Sequence, residues 1–413
     1  MQKEQSVPIV LDRQELGSTH IKFCRLCVVS NQRPRVVFDD EGICNPCRYS
    51  HAKQHGRIDW ASREKELEDL CNRHRSPDGR YDVIVPSSGG KDSGYVAHLL
   101  KHKYGMSPLT VTWAPFLYTD IGWRNYLAFK DAGFDNLMMF PNGKMHRKLA
   151  RTAFELLGDA WQPFTYGQKA YAFHIAQKFK IPLIFYGENG EVEYGGPDKN
   201  KDKPYESPSD WGYTYFKGTG IDELAQAGIE MGILTPDEVT PQMFSMYKAP
   251  ELEHLEKQSV QMHWMSYYRK WIPQENYYYA AKHCGFQANP DGRTEGTYSK
   301  YASLDDKTDG FHFYLAYIKF GIGRCTADAS HEVRDGHISR EEAVSLVNRY
   351  DGEFPSLYFN EFLDYLGITE EKFWEVCDRY RKPHIWVKQC GEWKLRHTVA
   401  GDGVDDLAEK IQH

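Results

Sequence analysis

The chain has 413 residues, which at roughly 100 to 200 residues per domain predicts two or three domains, with cores large enough to fold without disulfide staples. Its 51 Lys and Arg against 58 Asp and Glu give a formal charge of −7, and 41% hydrophobic with 26% charged residues is an ordinary globular composition, which excludes disorder, collagen and coiled-coil arrays. The acidic balance counts against a protein whose main work is gripping a phosphate backbone, although a local basic patch can hide inside the sum.

Residues 1–20 are polar and unpatterned and predict a flexible arm, with neither an apolar signal core nor a small-residue cleavage site. No run approaches the roughly 18 apolar residues of a membrane helix, so no membrane association and a cytoplasmic location are expected. Of nine cysteines, Cys71, Cys284, Cys325, Cys377 and Cys390 are scattered and the other four form two tight pairs, unlike a secreted disulfide framework. Over 21–50, Cys24-Arg-Leu-Cys27 and Cys44-Asn-Pro-Cys47 stand sixteen residues apart, the spacing of a four-cysteine zinc site. Thiolates suit zinc, and each CxxC turn lets two sulfurs converge on one ion. Arg35–Phe38 reads as a strand and Asp39–Gly42 as a turn, so the unit resembles a zinc ribbon. Nothing suggests an open coordination position, which makes the expected zinc structural.

A helical linker follows over 51–80, where Trp60 to His74 places Leu67, Leu70 and Cys71 on one face. The main domain is expected over 81–350. Short apolar strand runs begin at Tyr81 (YDVIVP), Leu109 (LTVTW), Asn136 (NLMMF) and Ile181 (IPLIFYG), and a helix is predicted from Ser93 to Tyr104 with Gly105 at its left-handed cap. The intervals 81 to 109 and 109 to 136 are 28 and 27 residues, close to the roughly 30 of a βαβ unit. The fold class is therefore α/β, a doubly wound parallel sheet whose ligand lies at the carboxyl ends of its strands. Gly195 to Gly220 has no periodicity and reads as a long loop within an insertion around 195–255. A helical region is expected around Glu251 to Trp271, a capping box at Ser339-Arg-Glu-Glu342, and a mainly helical region over 351–413 with Thr369 as an N-cap.

Between the first strand run and the Ser93 helix stands Ser88-Gly89-Gly90-Lys91-Asp92-Ser93. Two glycines remove Cβ atoms that would keep a phosphate from backbone N–H groups, Ser88 and Ser93 add hydroxyls, and the helix offers its positive end. This is an anion cradle. It is not a Walker A loop, because Lys91 is followed by Asp rather than Ser or Thr and the upstream glycine is missing.

SGGKDS after a strand resembles the PP-loop of the ATP pyrophosphatases. Together with CRLC...CNPC, YGENGEVEYGG (Tyr186 to Gly196), RTEGTYSKYASLDDKTDGFHFYLAYIKFGIGR (Arg293 to Arg324) and REEAVSLVNRYDGEFP, it is more narrowly similar to the N-acetyl sugar amidotransferases of surface polysaccharide and flagellin-glycan biosynthesis. The likeness runs from about Phe23 to Pro355. The resemblance implies an enzyme that uses ATP with magnesium to adenylate the acetamido oxygen of a nucleotide-activated N-acetyl sugar. Ammonia then displaces AMP to leave an acetamidino group.

By the same resemblance, Ser88, Gly89, Gly90 and Ser93 cradle pyrophosphate, Lys91 neutralises its developing charge, and Asp92 orients the loop or helps hold magnesium. Trp113, ending the second strand run, is placed for adenine or for plain core packing. Gly187 and Glu188 end the fourth run at the ligand edge, with Glu188 a ligand or a solvated loop carboxylate; Glu191 and Glu193 are weaker candidates. Arg293, Glu295, Tyr298 and Lys300 suit a phosphorylated, hydroxyl-rich sugar. Asp305 and Asp306 are candidates for magnesium or for helix capping. No glutaminase nucleophile is evident: residue 2 is Gln, and no Gly-x-Cys-x-Gly elbow occurs. The resemblance therefore implies a separate glutaminase subunit and a cyclase-like barrel subunit, similar to the two parts of imidazole-glycerol-phosphate synthase. The rival reading is a PP-loop tRNA thiolation enzyme, against which the −7 charge and the wide cysteine spacing count.

Overall fold

The computed structural model describes residues 18–196, 201–211 and 215–412, so most of the predicted arm and parts of the predicted insertion lie outside the described residues. Six strands form the central sheet: β1 (Val83–Pro86), β2 (Pro108–Trp113), β3 (Asn136–Met139), β4 (Leu183–Tyr186), β5 (Tyr205–Glu206) and β6 (Gln261–Trp264). Their order is β3-β2-β1-β4-β6-β5, parallel throughout except where β5 runs antiparallel to β6. Side chains alternate between two cores, as the pleat requires. Ile84, Leu109 and Ile184 join one apolar cluster, whereas Val83, Val85, Leu183 and Phe185 join the other. Both faces are thus buried, which is why β1 and β4 read as apolar runs and β2 as a nearly apolar one, broken only by the buried Thr110 and Thr112.

The helices in chain order begin with α1 (Asn45–Gln54), α2 (Trp60–His74), α3 (Lys91–His102), α4 (Asp120–Asp131), α5 (Gly143–Leu157), α6 (Gln162–Phe179) and α7 (Gly190–Tyr194). The cap of α2 is Asp59, whose side chain accepts from the Ser62 N–H, and Gly105 at φ 64 turns the chain after α3. α5 and α6 cover one face of the sheet, and α2, α3 and the helix Pro273–Cys284 cover the other. No helix among the described residues is long and apolar enough to cross a membrane.

Two expectations need correction, and a third region holds more than was expected. The predicted helical region Glu251 to Trp271 is broken by Ser259 at φ 53 and contains β6. Gln261–Trp264 is too short for its periodicity to decide, and pairing of Leu183–Tyr186 with it decides instead. The 351–413 region is helical as expected, with the helices Phe359–Leu366, Glu370–Tyr380 and Val404–Gln412 and with Thr369 as a cap, and it adds a hairpin, β7 (Trp386–Gln389) and β8 (Glu392–Leu395). Its two-residue turn, Cys390-Gly391, has positive φ at both positions, the backbone that a right-twisted hairpin requires. Finally, Arg35–Phe38 is no regular strand: Arg35 has φ 66, and only isolated bridges, Phe23 to Ser30 and Phe38 to Cys44, shape the cysteine module.

The predicted capping box forms, with the Ser339 hydroxyl accepting the Glu342 N–H at 3.1 Å and the Glu342 carboxylate accepting the Ser339 N–H at 2.7 Å. Phe154 of α5 packs with Phe311, Phe362 and Phe373, so the C-terminal helices share a core with the sheet's helical layer.

Candidate functional site

Pro86, Trp113, Tyr186 and Trp264, the last residues of β1, β2, β4 and β6, all line one cavity of about 530 Å³. It therefore lies at the carboxyl edge of the parallel strands, where an open α/β sheet leaves a crevice.

The Ser87–Ser93 turn enters this cavity from β1. Ser87, absent from the sequence reading, organises it: its hydroxyl accepts the Gly89 N–H at 3.2 Å and donates to Ser93 Oγ at 2.9 Å, and Ser93 in turn donates to the Gly90 carbonyl at 3.1 Å. No side chain caps α3, so its first turn presents backbone N–H groups on the cavity wall. Gly89 is needed for a reason other than phosphate clearance. It has φ +84, and a Cβ there would lie 2.6 Å from the Tyr126 Cα of α4. Lys91 is the first residue of α3 rather than part of an open loop. Its side chain is 12% exposed, paired with Asp92, with the ammonium 5.6 Å from the Tyr301 ring centre. Asp92 also accepts from Asn276 Nδ2 at 3.0 Å.

Glu188 lines the cavity, and its carboxyl is pushed up to about 7, first by burial and then by the charge of Asp92. Gly187 precedes it because a Cβ there would meet Trp271 at 2.6 Å. Asp305 lines the same cavity; burial and the nearby Asp309 raise its pKa, and the Ser88 hydroxyl opposes them. Trp113 is only 4% exposed, and a Cβ on Gly167 of α6 would lie 2.1 Å from its ring. Its body is core packing, with an edge on the cavity.

The remaining expectations are redistributed. Asp306 is buried and is not among the residues that line this cavity; it accepts from the N–H groups of Phe116, Leu117 and Thr308 and so fastens two loops. Arg293 is committed to Glu353 in a two-pronged pair at 2.6 and 2.8 Å, and Glu295 accepts from Ser356 Oγ at 2.6 Å. Tyr298 packs beside Ala329 and Ala343, and the Lys300 ammonium stands 5.5 Å from the Tyr277 ring centre. None of these four lines the large cavity. Tyr301, Ser303, Asp305 and Asp309, from the same segment, do. Glu193 is drawn instead into a buried pair with Lys53, and the Glu191 side chain lies outside the described residues.

The helix Arg324–Asp335 supplies a wall that the sequence reading missed. Arg324, Asp328, His331 and Asp335 recur at i, i+4, i+7 and i+11, a polar stripe at helical spacing that was available as a signal. Arg324 pairs with Asp328 at 3.1 Å. His331 is 4% exposed, with neither ring nitrogen hydrogen-bonded, and burial holds it well below the usual histidine range.

At the N-terminus, the ligand atoms of Cys24, Cys27, Cys44 and Cys47 all lie within 4.8 Å of one another, and all four residues are buried. The Sγ separations of 3.9 Å (Cys24 to Cys47) and 3.7 Å (Cys27 to Cys44) match the roughly 3.8 Å edge of a tetrahedron with zinc–sulfur bonds of about 2.3 Å. The donor set therefore fits zinc, with all four corners filled by protein. Arg340 donates to the carbonyls of Cys24 and Cys27 and holds the first knuckle in place.

Residues 295–399 match the C-terminal domain family of WbpG-like LPS biosynthesis proteins, which supports an LPS biosynthesis family for this part of the chain. The match includes Asp305, Asp309 and the Arg324–Asp335 helix but not the Ser87–Ser93 turn. The chain is also similar to an uncharacterized protein of Methanocaldococcus jannaschii, MJ1599, at 28% identity over 93 residues, covering 21% of this chain and 31% of that protein. The similarity thus spans less than a third of that relative's length.

Proposed function

We propose that the chain is an ATP-dependent amidotransferase of lipopolysaccharide or related glycan biosynthesis that acts on a nucleotide-linked N-acetyl sugar. The observation that carries this reading is the convergence of the uncapped α3 turn, Lys91 and the carboxylates Glu188, Asp305 and Asp309 on one cavity at the strand ends. The WbpG-like match supports the pathway, because its printed description concerns LPS biosynthesis.

ATP binds with its β and γ phosphates on the α3 turn beside Lys91, and the hard oxygens of Glu188, Asp305 and Asp309 suit magnesium. The acetamido oxygen attacks the α phosphorus and pyrophosphate leaves, its charge met by Lys91 and the backbone N–H groups. Ammonia then adds to the activated carbon, and AMP departs with the former amide oxygen, leaving the acetamidino group. Three of the five cysteines outside the four-cysteine cluster support an external nitrogen source. Burial pushes the Cys71, Cys284 and Cys377 thiols up to about 12, the wrong direction for a glutaminase nucleophile. A separate glutaminase subunit with a cyclase-like barrel subunit is the proposed supplier, and zinc in the four-cysteine site is proposed to be structural.

The test is to incubate the protein with ATP, magnesium and ammonium together with either a panel of 2-acetamido nucleotide sugars or bulk tRNA. Products are read by mass spectrometry. AMP with an acetamidino product from a sugar is expected, and Lys91→Ala should abolish it. AMP release with tRNA alone overturns the proposal.

A further inference from the structure

His331 is 4% exposed, and neither of its ring nitrogens has a hydrogen-bond partner among the described residues. A buried imidazole in that state is costly, because both nitrogens have left water and no protein group replaces it. The ring lines the large cavity, its centre 4.6 Å from that of Tyr194, so the missing partner belongs in the cavity. The hydroxyl of Ser303, which lines the same cavity, is buried and unpartnered as well, on a left-handed backbone at φ 54 of the kind that collects at ligand sites.

The charged groups around these two are already engaged. Arg324 pairs with Asp328 at 3.1 Å, Lys53 stands 3.2 Å from Glu193 and 3.7 Å from Asp335, and the Tyr301 hydroxyl donates to Glu332 at 3.4 Å. His331 itself stays neutral: burial, then the charges of Arg334, Lys53, Arg33 and Lys91, hold it well below the usual histidine range. A neutral imidazole has one N–H donor and one acceptor nitrogen, and a serine hydroxyl also does both. The unfilled capacity of this wall is therefore uncharged and hydrogen-bonding. Asp328, Glu332 and Asp335 disfavour a phosphate there, and the cations around the ring disfavour ammonium. A hydroxyl or an amide fits, because each donates and accepts.

The rest of the cavity is of another kind. Phe164, Tyr171 and Trp264 give it an aromatic side near the strand ends, and the α3 turn with Lys91 gives it an anion-binding corner. Tyr301 joins that corner to the polar wall, its ring centre 5.6 Å from the Lys91 ammonium while its hydroxyl reaches Glu332.

We infer that the Arg324–Asp335 wall holds the sugar ring of the second substrate, and that His331, with Ser303, hydrogen-bonds its hydroxyl or acetamido group and so selects for it. This assignment rests on the reading of the chain as an enzyme of nucleotide-linked N-acetyl sugars. Buried polar atoms that only the right ligand satisfies discriminate strongly, since an analogue without the group leaves them unpaired.

The experiment uses the full chain saturated with a non-hydrolysable α,β-methylene analogue of ATP and magnesium. Uridine diphosphate N-acetyl hexosamines and cytidine monophosphate nonulosonic acids are titrated in by calorimetry, with the bare nucleotides as controls for what the sugar adds. At least one nucleotide sugar should bind more tightly than its bare nucleotide. His331→Phe, which keeps a flat ring without polar atoms, should weaken that sugar roughly tenfold or more while leaving the bare nucleotide and the ATP analogue within about twofold. His331→Asn keeps a donor and an acceptor and should recover part of the loss. Ser303→Ala removes a single hydroxyl and should weaken the sugar severalfold, and it carries the test if the melting temperature shows that His331→Phe does not fold. If no nucleotide sugar binds the unmutated protein, the sugar reading of the whole chain is overturned and this wall with it. If a sugar binds but the folded variants bind it as tightly as the unmutated protein does, the assignment of this wall alone is overturned. Weaker binding of the ATP analogue with the sugar unaffected would give the wall to ATP and overturn it equally.

Discussion

Lys53 Nζ lies 3.2 Å from a Glu193 carboxylate oxygen, with both side chains almost fully buried. Lys53 belongs to α1 of the cysteine module, and Glu193 to α7, five residues beyond Glu188 at the cavity. The same ammonium donates to the Trp271 carbonyl at 3.0 Å and stands 3.7 Å from Asp335 on the cavity wall. The small N-terminal module is thereby pinned to the ligand edge of the sheet by a buried charge rather than by apolar area alone.

Lys53→Met should therefore destabilise the whole protein and not only its N-terminus. It leaves Glu193 and Asp335 buried without their cation, a loss on the order of 3 to 5 kcal/mol for breaking a buried pair. Urea unfolding measures this, and a change below about 1 kcal/mol would mean that solvent reaches the pair.

The four-cysteine cluster should bind one zinc per chain, and chelation should lower the melting temperature and loosen the Arg340 contacts to the Cys24 and Cys27 carbonyls. Cys44→Ser removes one corner and should lower both zinc content and soluble yield. Metal analysis of the purified variant checks this, and an undiminished zinc content would contradict the ligand assignment.

Glu188 sets a pH dependence with a definite sign. Its carboxyl is raised to about 7 in the folded chain from the ordinary glutamate value of 4.5 that an unfolded chain would show. Between those values the unfolded chain binds fewer protons at this site than the folded one, so stability falls as pH rises through the window and levels off above it. Glu188→Gln should flatten this part of the stability profile, measured as urea midpoints from about pH 5 to about pH 8. A profile unchanged by the substitution would mean that another group is responsible.

The sheet, the Ser88–Ser93 turn and the four-cysteine cluster were legible because each rests on local sequence. Val83–Pro86 is apolar throughout, Pro108–Trp113 is interrupted only by Thr110 and Thr112, and the CxxC pairs announce themselves by spacing. β6 was hidden because four residues, Gln261–Trp264, carry no period and become a strand only by lying beside β4. The cavity wall was hidden for a related reason. Arg293 and Glu295 carry chemistry that suits a sugar, but Glu353 and Ser356, sixty and sixty-one residues away, claim them. Pairing across that distance leaves no local trace. The Arg324–Asp335 stripe did leave one, at helical spacing.

The adjacent glycines of the turn should behave differently, although the sequence treats them alike. At Gly89 a methyl group would lie 2.6 Å from the Tyr126 Cα and 2.8 Å from its nitrogen, on a backbone at φ +84. Neither α4 nor the left-handed turn can yield cheaply, so Gly89→Ala should destabilise the fold by about 1 to 3 kcal/mol and displace the first turn of α3. At Gly90 the nearest atom to a new methyl is Ser88 Oγ at 3.4 Å, and the backbone, φ −72, is open to any residue. Gly90→Ala should therefore melt close to the unmutated protein yet bind ATP more weakly, because the methyl occupies cavity space that a phosphate needs. Thermal melts and nucleotide titrations on the two variants separate packing from ligand clearance. Equal loss of stability in both would mean that Gly90 too is held by the fold, and full ATP affinity in Gly90→Ala would remove this turn from the nucleotide site.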